Sequence, residues 1–133
     1  MALLTEIIVK QNVLVVYNIH LESRGENELR RRQTHEVLQD ARQYGANTPV
    51  LLAGDFNCDL TNDYFFELIH KEKFEHSFAG QRLLPTTQEQ PFRKSRIIDW
   101  MLHRGSLAID SAAVHTHTPG SDHYPLTLTI RLR

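Results

Sequence analysis

The sequence predicts an α+β fold, a mostly antiparallel β-sheet with helices on one face. Three observations carry that expectation. Runs rich in β-branched and apolar residues recur at 6–10, 13–17, 50–53, 97–102 and 126–132, bounded by Gly, Pro, Asn and Asp. Two of them are separated only by Gln11-Asn12, a connection short enough for a hairpin and therefore for antiparallel pairing. Between other runs, apolar residues at 29–44 and 64–69 follow a helical rather than an alternating spacing. A chain of 133 residues forms one domain, residues 1–133, that buries about two thirds of its unfolded surface.

The run 13–17 is apolar without alternation, so its strand is expected to be covered on both faces. Its polar residues, Asn18 and His20, gather at the C-terminal end and share one face. Ser23 to Glu26 has the spacing of a capping box, and Leu29, Val37, Leu38, Ala41 and Tyr44 form an interrupted helical stripe that stops before Gly45. Glu26 and Glu28 precede Arg30 and Arg32 by four residues, so the triplet Arg30-Arg31-Arg32 reads as a solvated, ion-paired helix face.

The stretch 49–57 reads as a short buried strand ending in Gly54-Asp55-Phe56-Asn57. In extended backbone Asp55 and Asn57 share a face, beyond a glycine that lets backbone approach a ligand closely. The same string also closes a strand as an Asx turn. Thr61 or Asn62 is placed to cap a short core-facing helix carrying Tyr64, Phe65, Leu68 and Ile69. Residues 71–96 are polar and contain Thr86-Thr87 and the basic stretch Arg93-Lys94-Ser95-Arg96, a candidate phosphate contact or a solvated loop.

Asp99 sits within the apolar run 97–102, where an aspartate is costly to bury without a partner, and a histidine is the expected one. Residues 109–117 read as a weaker strand on which His115 and His117 share a face, the spacing of a zinc or copper pair as well as of two solvated histidines. The rigid turn at 119–125 delivers Asp122 and His123 to the start of 126–132, whose alternation marks one buried and one wetted face.

Composition excludes several classes. The formal charge of −1 provides no global field for nucleic acid or anionic membrane. The single cysteine, Cys58, rules out an internal disulfide framework and a cysteine-based zinc site. No apolar run reaches the ~18 residues of a membrane span. Residues 1–4 lack the basic region of a signal peptide. The chain reads as soluble and untargeted, with its compartment open. There is no nucleophile elbow, Gly-rich nucleotide loop or His-Glu-x-x-His helix.

His20, Asp55, Asn57, Asp99, Asp122 and His123 come from four separate apolar segments, each placing polar groups near a strand terminus. Carboxylates that hold a hard cation and activate water, a carboxamide and imidazoles suit phosphate ester hydrolysis. Asn18-Ile19-His20-Leu21, Gly54-Asp55-Phe56-Asn57, Ile98-Asp99-Trp100 and Ser121-Asp122-His123-Tyr124-Pro125 resemble, in order, the C-terminal motifs of the endonuclease/exonuclease/phosphatase superfamily. The resemblance implies half of a four-layer α/β/β/α sandwich and a Mg2+- or Mn2+-dependent phosphoesterase. Its substrate would be a nucleic acid, a phospholipid or a small phosphate ester. It further implies that Asp55 activates water, Asn57 holds that water and a phosphate oxygen, and His123, polarised by Asp99, stabilises the phosphorane. Asp122 would assist the metal, while His20 contacts the phosphoryl group and Asn18 the substrate.

Members of that superfamily run to about twice this length, and the half that supplies a metal-binding Glu has no counterpart in this sequence; Glu6 and Glu22 are misplaced for it. Two expectations follow. The inner sheet face needs a cover, either the missing half or a second copy in a homodimer, and the chain is either an enzyme or a non-catalytic interaction module.

Overall fold

The computed structural model describes residues 1–61 and 63–133, with 63 and 64 described by backbone alone. Strand β1 (Ala2–Val9) pairs antiparallel with β2 (Asn12–His20), Ala2 opposite Ile19 and Val9 opposite Asn12. Their connection is Lys10-Gln11, one residue earlier than the sequence suggests, because Lys10 turns the chain at φ 58° and Asn12 still pairs. All of β1 is exposed, as befits an edge strand. Coverage of β2 on both faces is confined to Leu14 and Val15. Further along, Tyr17 and Ile19 are buried, while Asn18 and His20 are exposed on the other face.

Helix α1 (Asn27–Ala41) carries the chain across to β3 (Val50–Asp55), which pairs parallel with β2, as a crossover requires. The anticipated capping box does not form: Glu26 is the N-cap and makes no side-chain cap bond. Burial of Leu38, worth about 1.5–3 kcal/mol, exceeds the loss of a cap, about 1 kcal/mol. The buried stripe is Arg30, Thr34, Leu38 and Ala41, and Leu29 lies outside it. Arg30 is therefore not on the solvated face. It is nine-tenths buried and donates to the carbonyls of Glu22 (2.8 Å) and Ser23 (3.1 Å), pinning the β2–α1 connection. Arg31 remains outside and pairs with Glu28.

Helix α2 (Asp63–Lys71) buries Phe65 and Ile69 against the sheet. Thr61 turns its hydroxyl to Asp59; the Asn62 alternative for the cap and the side chain of Tyr64 lie outside the described residues. The short β4 (Glu75–His76) and then β5 (Asp99–Arg104) complete a five-stranded sheet in the order β1-β2-β3-β5-β4, antiparallel except for β2–β3. Asp99 is the first residue of β5 rather than a mid-strand residue, since 97 and 98 precede the ladder.

Strands β6 (Leu107–Val114) and β7 (Leu126–Leu132) form a separate antiparallel pair. β6 stops before His115, whose Nε2 meets the Thr127 hydroxyl at 2.9 Å, so His115 and His117 are not strand neighbours. In β7 the alternation holds: Leu126, Leu128, Ile130 and Leu132 are half-buried, with Thr127, Thr129 and Arg131 exposed. The core joins Val15, Tyr17, Ile19, Leu52, Trp100 and Leu102 of the sheet to Leu38 and Ala41 of α1 and Phe65 and Ile69 of α2. On the opposite face, a cleft of about 250 Å³ separates Asn18, Ala53 and Met101 from Tyr124 and Leu126. Another, of about 450 Å³, separates Leu14 from Ile130 and Leu132. The layers are thus helices, a mostly antiparallel sheet and a two-stranded sheet. No described helix is long and apolar enough to cross a membrane.

Candidate active site

Strand register builds the site. His20 lies opposite Asp55 in the parallel pair, and Asp55 lies opposite Asp99 in the antiparallel pair, so the three side chains form one row across β2, β3 and β5. The row lies at the C-terminal ends of β2 and β3 and the N-terminal end of β5, which coincide at one rim of the sheet. One step behind it run Asn18, Ala53 and Met101. They line the 250 Å³ cleft together with Asp99.

The partner that burial of Asp99 demands is His123, whose Nδ1 lies 2.9 and 3.1 Å from the two carboxylate oxygens. An Nδ1 facing a carboxylate carries the hydrogen, which leaves Nε2 for other work. Asp55, Asp99 and His123 bring one ligand atom each within 4.8 Å of one another. Oδ1 of Asp55 accepts the Asn57 N–H at 2.7 Å, while its Oδ2 lies 3.8 Å from His20 Nε2.

Desolvation raises the Asp99 carboxyl above the ordinary range and the neighbouring Asp55 adds to this, against the lowering effects of the Thr86 hydroxyl and His123. Its charged form therefore opposes folding. The contribution of this group to stability is greatest below the ordinary carboxylate range and declines as pH rises through it towards the higher folded value. Asp99→Asn is expected to equal the wild type in stability at neutral pH or exceed it by up to about 1 kcal/mol, and to lose this part of the pH dependence. Urea titrations in chelator at pH 4 to 8 check this.

Asn57 is not in extended backbone with Asp55. The strand ends at Asp55, and Asn57 adopts φ 52°, closes the Asx turn and sends its carboxamide N–H to the Leu21 carbonyl at 3.1 Å. It is buried beside the row. Asp122, half exposed, faces Arg93 at 3.7 Å and stands outside the three-residue cluster. Gly54 lines the same cleft, and the position a Cβ would take is closed by the Ile19 carbonyl of β2. Cys58 is buried, and that burial pushes its thiol up to about 12, so it is inert. His115 and His117 belong to no group of three metal-binding side chains among the described residues.

The roles of Thr86, Thr87 and Arg96 escape a sequence reading. Thr86 and Thr87, both buried, stitch the supposed loop to the site: Thr87 bridges His123, and the Thr86 carbonyl accepts the Tyr124 N–H at 2.7 Å. Arg96 donates to the Asn57 carbonyl at 3.3 Å. The one available signal was a β-branched pair inside a polar stretch.

The sequence matches the Endonuclease/Exonuclease/phosphatase family over residues 4–123. No curated protein matches it. Among solved structures it is similar to a conserved protein of unknown function from Enterococcus faecalis V583, with a TM-score of 0.74 and 23% identity over 92% of this chain and 51% of that one. It is similar to D. rerio TDP2 complexed with single-strand DNA product, with a TM-score of 0.76 and 18% identity over 98% of this chain and 61% of that one. The mannosyl-6-phosphatase of Bacteroides thetaiotaomicron gives a TM-score of 0.66 and 22% identity, covering 92% and 53%. At such identities the likeness is one of fold, and the chain spans about half to three fifths of each of these structures.

Proposed function

The chain belongs to the endonuclease/exonuclease/phosphatase family, and from that premise we propose that it hydrolyses a phosphate ester at the row formed by His20, Asp55 and Asp99. The observation that supports this most is the Asp99–His123 pair set directly beside an Asp55 oxygen that has no hydrogen-bond partner among the described residues. In this reading Asp55 orients and deprotonates the attacking water. His123, held by Asp99, turns Nε2 to the phosphoryl oxygen on which charge develops. His20, largely exposed beside Asp55, contacts the phosphoryl group from the other side. Asn57 fixes the turn that aims Asp55, and Asn18 in the adjoining cleft meets the remainder of the substrate.

By donor type, the carboxylates fit a hard divalent cation, which keeps several waters of its own and so tolerates few protein ligands. Asp55 and Asp99 would hold Mg2+ or Mn2+, with Asp122 as a further carboxylate nearby whose charge is now matched by Arg93. Bound there, the cation supplies polarisation of the phosphoryl oxygen. The relatives' descriptions name a single-strand DNA product and a mannosyl-6-phosphatase activity. A formal charge of −1 favours a small ester over tight nonspecific nucleic-acid binding.

Hydrolysis of bis-p-nitrophenyl phosphate in Mg2+ or Mn2+ tests the proposal. Turnover is expected with either ion, removed by chelator and restored by the metal; absence of turnover at every metal concentration refutes it. A second reading, an interaction or dimerisation module, rests on the exposed edge strand β1 with Leu3, Leu4, Ile7, Ile8 and Val9 at its surface. That reading predicts self-association by light scattering without metal-dependent turnover.

A further inference from the structure

We propose that Thr86 is the positioning residue of the Asp99–His123 pair, its hydroxyl and backbone tying the start of β5 to the loop that presents the histidine. The inference rests on the phosphoesterase reading for its consequence in catalysis, but its geometry stands without it. Strand β4 pairs with Leu102 and His103 and, among the described residues, no strand continues along that edge to Ile98 and Asp99. One side-chain atom serves both: Thr86 Oγ1 accepts from Ile98 N at 3.0 Å and from Asp99 N at 3.1 Å. The same residue's backbone faces the other partner. Its carbonyl accepts from Tyr124 N at 2.7 Å, next to His123, and its N–H donates to the Arg96 carbonyl at 2.8 Å.

The residues on either side extend the tie. Thr87 bridges His123, Thr87 Oγ1 accepts from Arg96 N at 2.8 Å, and Gln88 N donates to the Asp122 carbonyl at 2.8 Å. Residues 86–88 thus form a splint hydrogen-bonded to 96–99 on one side and to 121–124 on the other. Asp99 begins β5, whereas His123, 24 residues on, lies in the turn that precedes β7, and residues 86–88 hydrogen-bond to both segments. Thr86 is 2% exposed, so water does not replace its hydroxyl if it is removed. The buried N–H of Ile98 and the part-buried N–H of Asp99 then lose their acceptor, and the backbone that aims the Asp99 carboxylate is freed.

Valine keeps the shape of threonine and deletes the acceptor, and serine keeps the acceptor and deletes a methyl group. Proton NMR of wild type, Thr86→Val and Thr86→Ser reads the low-field Nδ1–H resonance of His123, assigned by its loss in His123→Asn. The resonance is expected in wild type and Thr86→Ser and lost or broadened in Thr86→Val. In the metal-dependent assay kcat of Thr86→Val falls about 10²-fold with KM within about threefold, and serine restores most of it. A folded Thr86→Val with an unchanged resonance overturns the proposal, as does a folded Thr86→Ser that loses it. If the valine variant does not fold, amide hydrogen exchange in the wild type decides: slow exchange at Ile98 and Asp99 supports the splint, and exchange at the rate of exposed amides refutes it. A wild type without turnover refutes the phosphoesterase reading alone, since the NMR and exchange arms do not depend on it.

Discussion

Asp55→Asn is expected to lower metal-dependent turnover by about 10³-fold while leaving the fold as stable as the wild type to within about 1 kcal/mol. Asparagine is nearly isosteric, and its carbonyl oxygen takes the place of Oδ1, so the Asn57 N–H at 2.7 Å keeps an acceptor and the turn survives. What disappears is the negative charge on Oδ2, the atom that has no hydrogen-bond partner among the described residues and is therefore available to water or a cation. Loss of that charge also relieves the repulsion that helps raise the Asp99 carboxyl, which offsets any weakening of the turn. Asp55→Ala removes both functions at once, so it is expected to lose activity and also about 1–3 kcal/mol of stability, because the Asn57 N–H is left unpaired. Steady-state rates with thermal melts on both variants separate the roles. An asparagine variant that keeps more than about a tenth of the rate places the water-activating group elsewhere.

The row itself was partly legible. Alternation located β7 to the residue, the short connection announced the hairpin, and the unfavourable burial of an aspartate called for the histidine that meets Asp99. These signals are local, or rest on a cost that any structure must meet. Arg30 misled because charge spacing describes the free helix, while the actual environment is set by carbonyls of a connection that folds back over it. Asn57 misled because face-sharing assumes extended backbone, and here the strand ends two residues earlier. Thr86 left almost no trace. Its acceptor role depends on β4 being too short to pair with the start of β5, a tertiary circumstance that periodicity does not encode.

A severe loss of stability is expected from Gly54→Ala. Gly54 has φ +141°, a conformation that residues with a Cβ rarely adopt, and an added Cβ would lie 1.9 Å from the Ile19 carbonyl oxygen and 2.9 Å from its carbonyl carbon and nitrogen. All three are backbone atoms of the neighbouring strand, so no side-chain rotation relieves the overlap. β2 and β3 must separate or slip, and the residue pair next along the ladder is His20 with Asp55. A loss of about 4 kcal/mol or more is expected, seen as a melting midpoint lower by more than about 10 °C. Gly80→Ala is the control. Its φ of +78° is also unfavourable, yet nothing lies within 4 Å of the added carbon, so the cost is about 1–2 kcal/mol from backbone strain alone. The difference between the two variants therefore measures strand contact rather than glycine's conformational freedom. A Gly54→Ala protein as stable as Gly80→Ala is incompatible with the close approach of β2 to β3, and with it the alignment of His20, Asp55 and Asp99 along a single rim.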